Sequence, residues 1–100
     1  MAYDQALADR LRTLLPGATE KAMFGALVFM LDGNMAVAAN KDGLMVRVGE
    51  DGVGDVLAEG ARRFAMGGRT MKGWVVVDPG DDLPAWVDRG AAFARSLPAK

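Results

Sequence analysis

The sequence predicts an α+β fold: a two-layer domain whose antiparallel sheet is covered on one face by helices. Three observations lead there. The hydrophobic period is helical at both ends of the chain and strand-like between them. The strand-like stretches are joined by tight glycine-containing turns, which pair sequence neighbours antiparallel and segregate the helices to one face. Finally, 51% of the 100 residues are hydrophobic. A chain of that length buries roughly two thirds of its unfolded surface, enough for one self-standing core. Residues 1–100 are therefore expected to form a single domain.

The elements follow in order. Residues 3–15 read as a helix, because Leu7, Leu11, Leu14 and Leu15 fall on one face. Asp4 is placed to cap its start, and Pro16-Gly17 stops it. Glu20 to Leu31 is apolar and reads as one long strand, kinked or bulged at Phe24-Gly25. Asp32-Gly33 is the best hairpin turn, and Asn34 to Ala39 is the next strand. Asn40-Lys41-Asp42-Gly43 turns into a third strand, Leu44 to Val48. There Leu44, Val46 and Val48 point one way, and Met45 and Arg47 the other. Residues 51–59 form a weaker helix, interrupted by Gly52 and Gly54. Residues 61–73 are basic and glycine-rich, and Trp74 to Asp78 is a strand. The last helix runs from about Asp82 to Leu97, with Leu83, Trp86, Val87, Gly90, Phe93, Ala94 and Leu97 on its apolar face. The order is α-β-β-β-α-β(β)-α. A sheet of four to six strands is expected, with Trp74, Val76 and the apolar face of the last helix in one core.

The composition excludes several kinds of chemistry. The chain has no cysteine and no histidine. Disulfides, thiol nucleophiles, thiolate metal sites, Ser-His-Asp catalysis and histidine-ligated zinc are therefore impossible within it. Twelve basic residues against thirteen acidic ones give a formal charge of −1. That lacks the overall basic footprint of a dedicated nucleic-acid binder, so no autonomous nucleic-acid binding is expected. The first residues have no basic start and enter no apolar run, and the longest apolar stretch, Ala26 to Leu31, falls far short of the roughly 20 residues of a membrane helix. A cytoplasmic protein without a membrane partner is expected.

Four phrases carry a resemblance: Lys21-Ala22-Met23-Phe24-Gly25, Leu44-Met45-Val46-Arg47-Val48-Gly49, Met71-Lys72-Gly73-Trp74-Val75 and Phe93-Ala94-Arg95-Ser96-Leu97-Pro98. In this order and spacing they resemble the TfoX/Sxy N-terminal domain family, over nearly the whole chain. The resemblance implies a secretion-chaperone-like α+β fold. It also implies a regulatory role in transcription, since the family takes its name from co-activators of natural competence. Those full-length regulators carry a second, C-terminal domain. The family has no established catalytic residues, so the resemblance implies a non-enzymatic domain without a cofactor. Its partner would be another protein, in the transcription machinery.

Among candidate sites the segment 61–73 stands first. Arg62, Arg63, Arg69 and Lys72 lie in it without an acid, and Gly67-Gly68 could turn backbone N–H groups toward an anion. The plainer reading is a hairpin connection with solvated charges. No phosphate-binding GxxxxGK[ST] pattern is present. Phe24-Gly25 and Lys72-Gly73-Trp74 could line a groove, against a plainer role for both aromatics in the core. The methionines Met23, Met30, Met35, Met45, Met66 and Met71 suit either an adaptable binding surface or an irregular core. The pairs Glu50-Asp51 and Asp81-Asp82 each precede a helix, where an acid favours the positive dipole end. The candidate binding residues are Arg69, Lys72, Gly67, Gly68, Trp74 and Arg47. The expected function is a protein-interaction module, with a small-ligand or anion-binding domain using residues 61–73 as the alternative.

Overall fold

The structure, a computed structural model, describes residues 3–23, 25–41, 43–66, 69–78 and 80–99; side chains are described for all of these except 65–66, 69–71 and 81. Helix α1 spans Gln5–Leu14. Asp4 caps it as expected, its Oδ1 accepting the Leu7 N–H at 3.2 Å, and Leu7, Ala8 and Leu11 are buried. A six-stranded antiparallel sheet follows, interrupted by α2 (Glu50–Leu57) and closed by α3 (Leu83–Ser96). Its strands are β1 (Thr19–Met23), β2 (Ala26–Leu31), β3 (Asn34–Asn40), β4 (Gly43–Arg47), β5 (Arg62–Met66) and β6 (Arg69–Val77). They lie in the order β1-β2-β3-β4-β6-β5, which leaves β1 and β5 at the edges.

The stretch Glu20 to Leu31 is two strands, not one kinked strand. Met23 pairs with Ala26 and Thr19 with Met30, so the chain reverses between residues 23 and 26. Gly25, at φ +76°, supplies a tight turn where a bulge was expected. The Asp32-Gly33 turn is as expected, with φ of 53° and 82°, the paired left-handed geometry of a type I′ hairpin. A bulge sits instead in β3: Phe29 faces Val37 but Met30 faces Met35, so Ala36 is the extra residue. A short 3-10 turn, Gly80–Asp82, leads into α3.

The sheet is apolar on both faces. On the helix side Leu7 and Leu11 of α1, Val53 and Val56 of α2, and Leu83, Trp86 and Val87 of α3 pack onto Phe29, Val37, Leu44, Val46, Val75 and Val77. Each such side chain contributes about 1.5–3 kcal/mol when fully buried. On the other face Ala26, Val28, Ala38, Met45, Phe64, Trp74 and Val76 form a second cluster, with Met23, Met30 and Met35 half-buried beside it. Trp74 and Val76 therefore do not share a core with the last helix. Their neighbours Val75 and Val77 do, because successive side chains of a strand alternate between faces. Trp86 is buried at 8% exposure, as the reading of α3 required. Among the described residues no helix is long and apolar enough to cross a membrane.

Candidate functional site

The segment 61–73 becomes most of an edge hairpin. Arg62 and Arg63 are exposed on β5, and Lys72 is exposed on β6. Arg69 opens β6 opposite Met66, and its side chain lies outside the described residues, as Gly67 and Gly68 do entirely. The segment itself has no acid, but Asp78 reaches Arg62 (Nη1 to Oδ2, 3.3 Å). Both partners are solvent-exposed, so this pair contributes little. Trp74 is buried at 7% exposure, which makes it a core residue rather than part of an open groove. Phe24 falls outside the described residues.

What the structure brings together lies at the inner end of that hairpin. Arg63 pairs with Val75 but Ala65 with Thr70, so residues 71–74 span the interval that Phe64 alone spans on β5. At this kink Gly73 has φ +81°, and its carbonyl accepts the N–H groups of Val48 (2.8 Å) and Gly49 (3.1 Å). A Cβ on Gly73 would stand 3.3 Å from the Gly49 Cα, so the two backbones meet with no room to spare. Gly49 in turn has φ +80°, and a Cβ there would come within 2.5 Å of the Phe93 ring. The Arg47 guanidinium lies over that ring, 5.3 Å from its centroid, a cation–π contact. Its Nη1 also donates to the Met35 carbonyl at 3.3 Å. Beyond α3, the Pro98 carbonyl accepts a bond from Asn34 Nδ2 at 3.0 Å, tying the chain's end to the β2–β3 turn.

Three of the four phrases singled out in the sequence thus converge: Arg47 and Gly49, Gly73, and Phe93 with Pro98. The family model for the TfoX N-terminal domain matches residues 9–94. This chain belongs to the TfoX N-terminal domain family. No curated protein and no solved structure matches it. In this TfoX N-terminal domain the phrases serve architecture: two glycines let β4, β6 and α3 approach, and an arginine–aromatic pair locks the junction. Arg47 was picked from the sequence as a binding residue. Its described contacts are with Phe93 and Met35, and the sequence showed Phe93 as part of a helical stripe and of a family phrase but not as the partner of Arg47.

Titration is perturbed elsewhere. Arg12 donates from Nε and Nη2 to the two carboxylate oxygens of Glu20, both at 2.9 Å. This fork holds Glu20 below its usual carboxylate range and raises Arg12. One surface hollow is lined by Asp4, Arg10, Gly43, Asp78 and Gly80, and another by Val48, Gly52, Asp55 and Arg89. Neither is lined by a described residue of the segment 61–73. Among the described residues no group of three or more acids could hold a metal ion.

Proposed function

We propose that this TfoX N-terminal domain is a non-enzymatic regulatory module of the cytoplasm that acts by binding another protein, a component of the transcription machinery. The β5–β6 hairpin contributes to the contact. One observation carries this reading. The six strands hold six cations, Lys21, Arg47, Arg62, Arg63, Arg69 and Lys72, and a single carboxylate, Glu20. Four of those cations lie on the β5–β6 hairpin. A local positive potential on an otherwise balanced domain steers an acidic partner and weakens as salt rises. The family's competence regulators support the transcriptional setting.

The test exchanges Arg69 and Lys72 together for Glu. The melting temperature should stay nearly unchanged, since surface substitutions usually cost under about 0.5 kcal/mol. Capture of the partner identified by affinity pull-down and mass spectrometry should fall. A variant that unfolds, or that captures its partner as well as the parent, assigns the hairpin to scaffold. Free-standing DNA binding is not expected, because a near-zero net charge releases few counterions. Salt-dependent binding to random duplex DNA tighter than about micromolar at physiological salt would contradict this.

A further inference from the structure

The three helices are held to the sheet very unequally. Helix α1 buries Leu7, Ala8 and Leu11, starts on the Asp4 cap and is tied to β1 by the Arg12–Glu20 fork. Helix α3 runs for 14 residues and buries six of them. Helix α2 has eight residues, of which Val53 and Val56 are buried, and no side chain caps its first turn. Leu57 adds a half-buried contact. Gly52 and Gly54 lie inside this helix, and glycine is among the poorest helix formers.

The surroundings of α2 are equally thin. It rests chiefly on β6, with a smaller contact on β5. Toward α3 lies a hollow of about 300 Å³, lined by Val48, Gly52 and Val56 on one side and by Arg89 and Ala92 on the other. Glu59 reaches across to Arg89 at 2.7 Å, but both side chains are solvent-exposed, and such a pair contributes little. Each end of the helix is a glycine with positive φ, Gly49 at +80° and Gly60 at +100°. The two joints are fixed differently. At the first, the Val48 and Gly49 N–H groups donate to the Gly73 carbonyl of β6, a bond that stays with the sheet whatever α2 does. At the second, Glu59 and Ala61 donate to the Val56 carbonyl and Gly60 to that of Leu57, so these bonds go with the helix. Residues 50–59 carry Glu50, Asp51, Asp55 and Glu59 and no base, a charge that keeps a detached segment solvated.

We infer that α2 is a flap hinged at Gly49 and Gly60, which leaves the sheet and melts as one unit while α1, α3 and the six strands stay folded. Detachment brings melting, because eight residues with two glycines do not hold a helix in water by themselves. Opening uncovers the part of β6 that Val53 and Val56 cover, beside the β5–β6 hairpin. The domain therefore has two states that differ at this corner alone, and a partner that favours one of them sets the position of α2. The flap goes beyond the hairpin's role in binding and does not depend on it.

Native-state hydrogen exchange by NMR, run on the full chain at rising sub-denaturing urea, separates local opening from global unfolding. The amides of Gly54 to Leu57, bonded within the helix, and those of Glu59 to Ala61 should exchange as one group. That group should be at least about tenfold faster than the slowest amides of β3 and α3. Its exchange should depend weakly on urea, because opening exposes little surface. Val48 and Gly49 should stay with the slow group. Val28→Ala, in the cluster on the opposite face of the sheet, removes the same packing from the open and the shut state. It should speed the slow group about tenfold and leave the α2 group unchanged. Gly54→Ala, with open space around its added Cβ, should slow the α2 group about four- to fivefold. Amides of α2 that exchange with the slow group and share its urea dependence would overturn the inference, and the parent protein alone decides this if Val28→Ala does not fold. So would a Val28→Ala protein in which both groups speed up alike. Amides of α2 without any protection would overturn it as well, since no shut state would then exist. The hairpin's role is read separately, by partner capture in the Arg69/Lys72 exchange, so either reading can fail alone.

Discussion

Replacing Gly90 with Ala sets two effects of similar size against each other. Gly90 lies in the middle of α3, where alanine is favoured over glycine by about 0.8–1 kcal/mol of helix propensity. The new Cβ, however, would stand 2.5 Å from the Ala36 carbonyl oxygen and 2.6 Å from Val37 Cγ1. The oxygen belongs to backbone at the β3 bulge and cannot rotate away, so α3 must lift. Trp86, Val87, Ala91 and Ala94 then lose contact together, and overpacking of this kind typically costs about 1–3 kcal/mol. Because the obstacle is backbone, the upper half of that range applies, and the net expectation is a loss of about 1–2 kcal/mol. Gly54→Ala is the control: it lies within α2 with nothing within 4 Å of an added Cβ, so only the propensity gain remains. Each kcal/mol moves the melting temperature of a domain this size by about 4–8 °C. Thermal melts should therefore shift in opposite directions for the two variants. A Gly90→Ala protein stabilised as much as Gly54→Ala would refute the close seating of α3 on the bulge.

Gly49→Ala should destabilise by at least about 2 kcal/mol, since a left-handed residue costs roughly 1–2 kcal/mol before the Phe93 ring is displaced. Urea unfolding measures it, and near-ultraviolet circular dichroism should report the disturbed ring. Glu20→Gln tests the carboxylate that Arg12 holds below its usual range. A depressed carboxylate stabilises fully above its unfolded pKa, about 4.3, and loses that contribution as pH falls through the folded value. The gap in melting temperature between parent and variant should thus be widest near neutrality and close as pH drops below about 4. A gap independent of pH would show that the fork adds nothing to the fold.

Much of the architecture is legible in the sequence where local chemistry admits one outcome. Asp4 before a Leu stripe could only cap, Asp32-Gly33 could only turn, and the alternation of Leu44 and Val46 with Met45 and Arg47 placed β4 correctly. The split of Glu20 to Leu31 was not legible. Apolar residues flank Gly25 on both sides, so bulge and hairpin read alike. Trp74 and Val76 were assigned to the wrong core for a related reason. A strand apolar on both faces has no polar row to say which face meets the helices. The Gly49–Gly73 junction needed the third dimension, because neither glycine signals its partner 24 residues away.

The placement of β1 and β5 at the sheet's edges has a consequence for solubility. A sheet with two edge strands is a hazard when its rims can zip to other copies. Here the full-overlap pairing of β1 with itself would set Lys21 against Lys21, and β5 begins with two adjacent arginines. Like charges directly opposite repel across a ladder. The rims therefore resist edge-to-edge growth of the sheet into filaments.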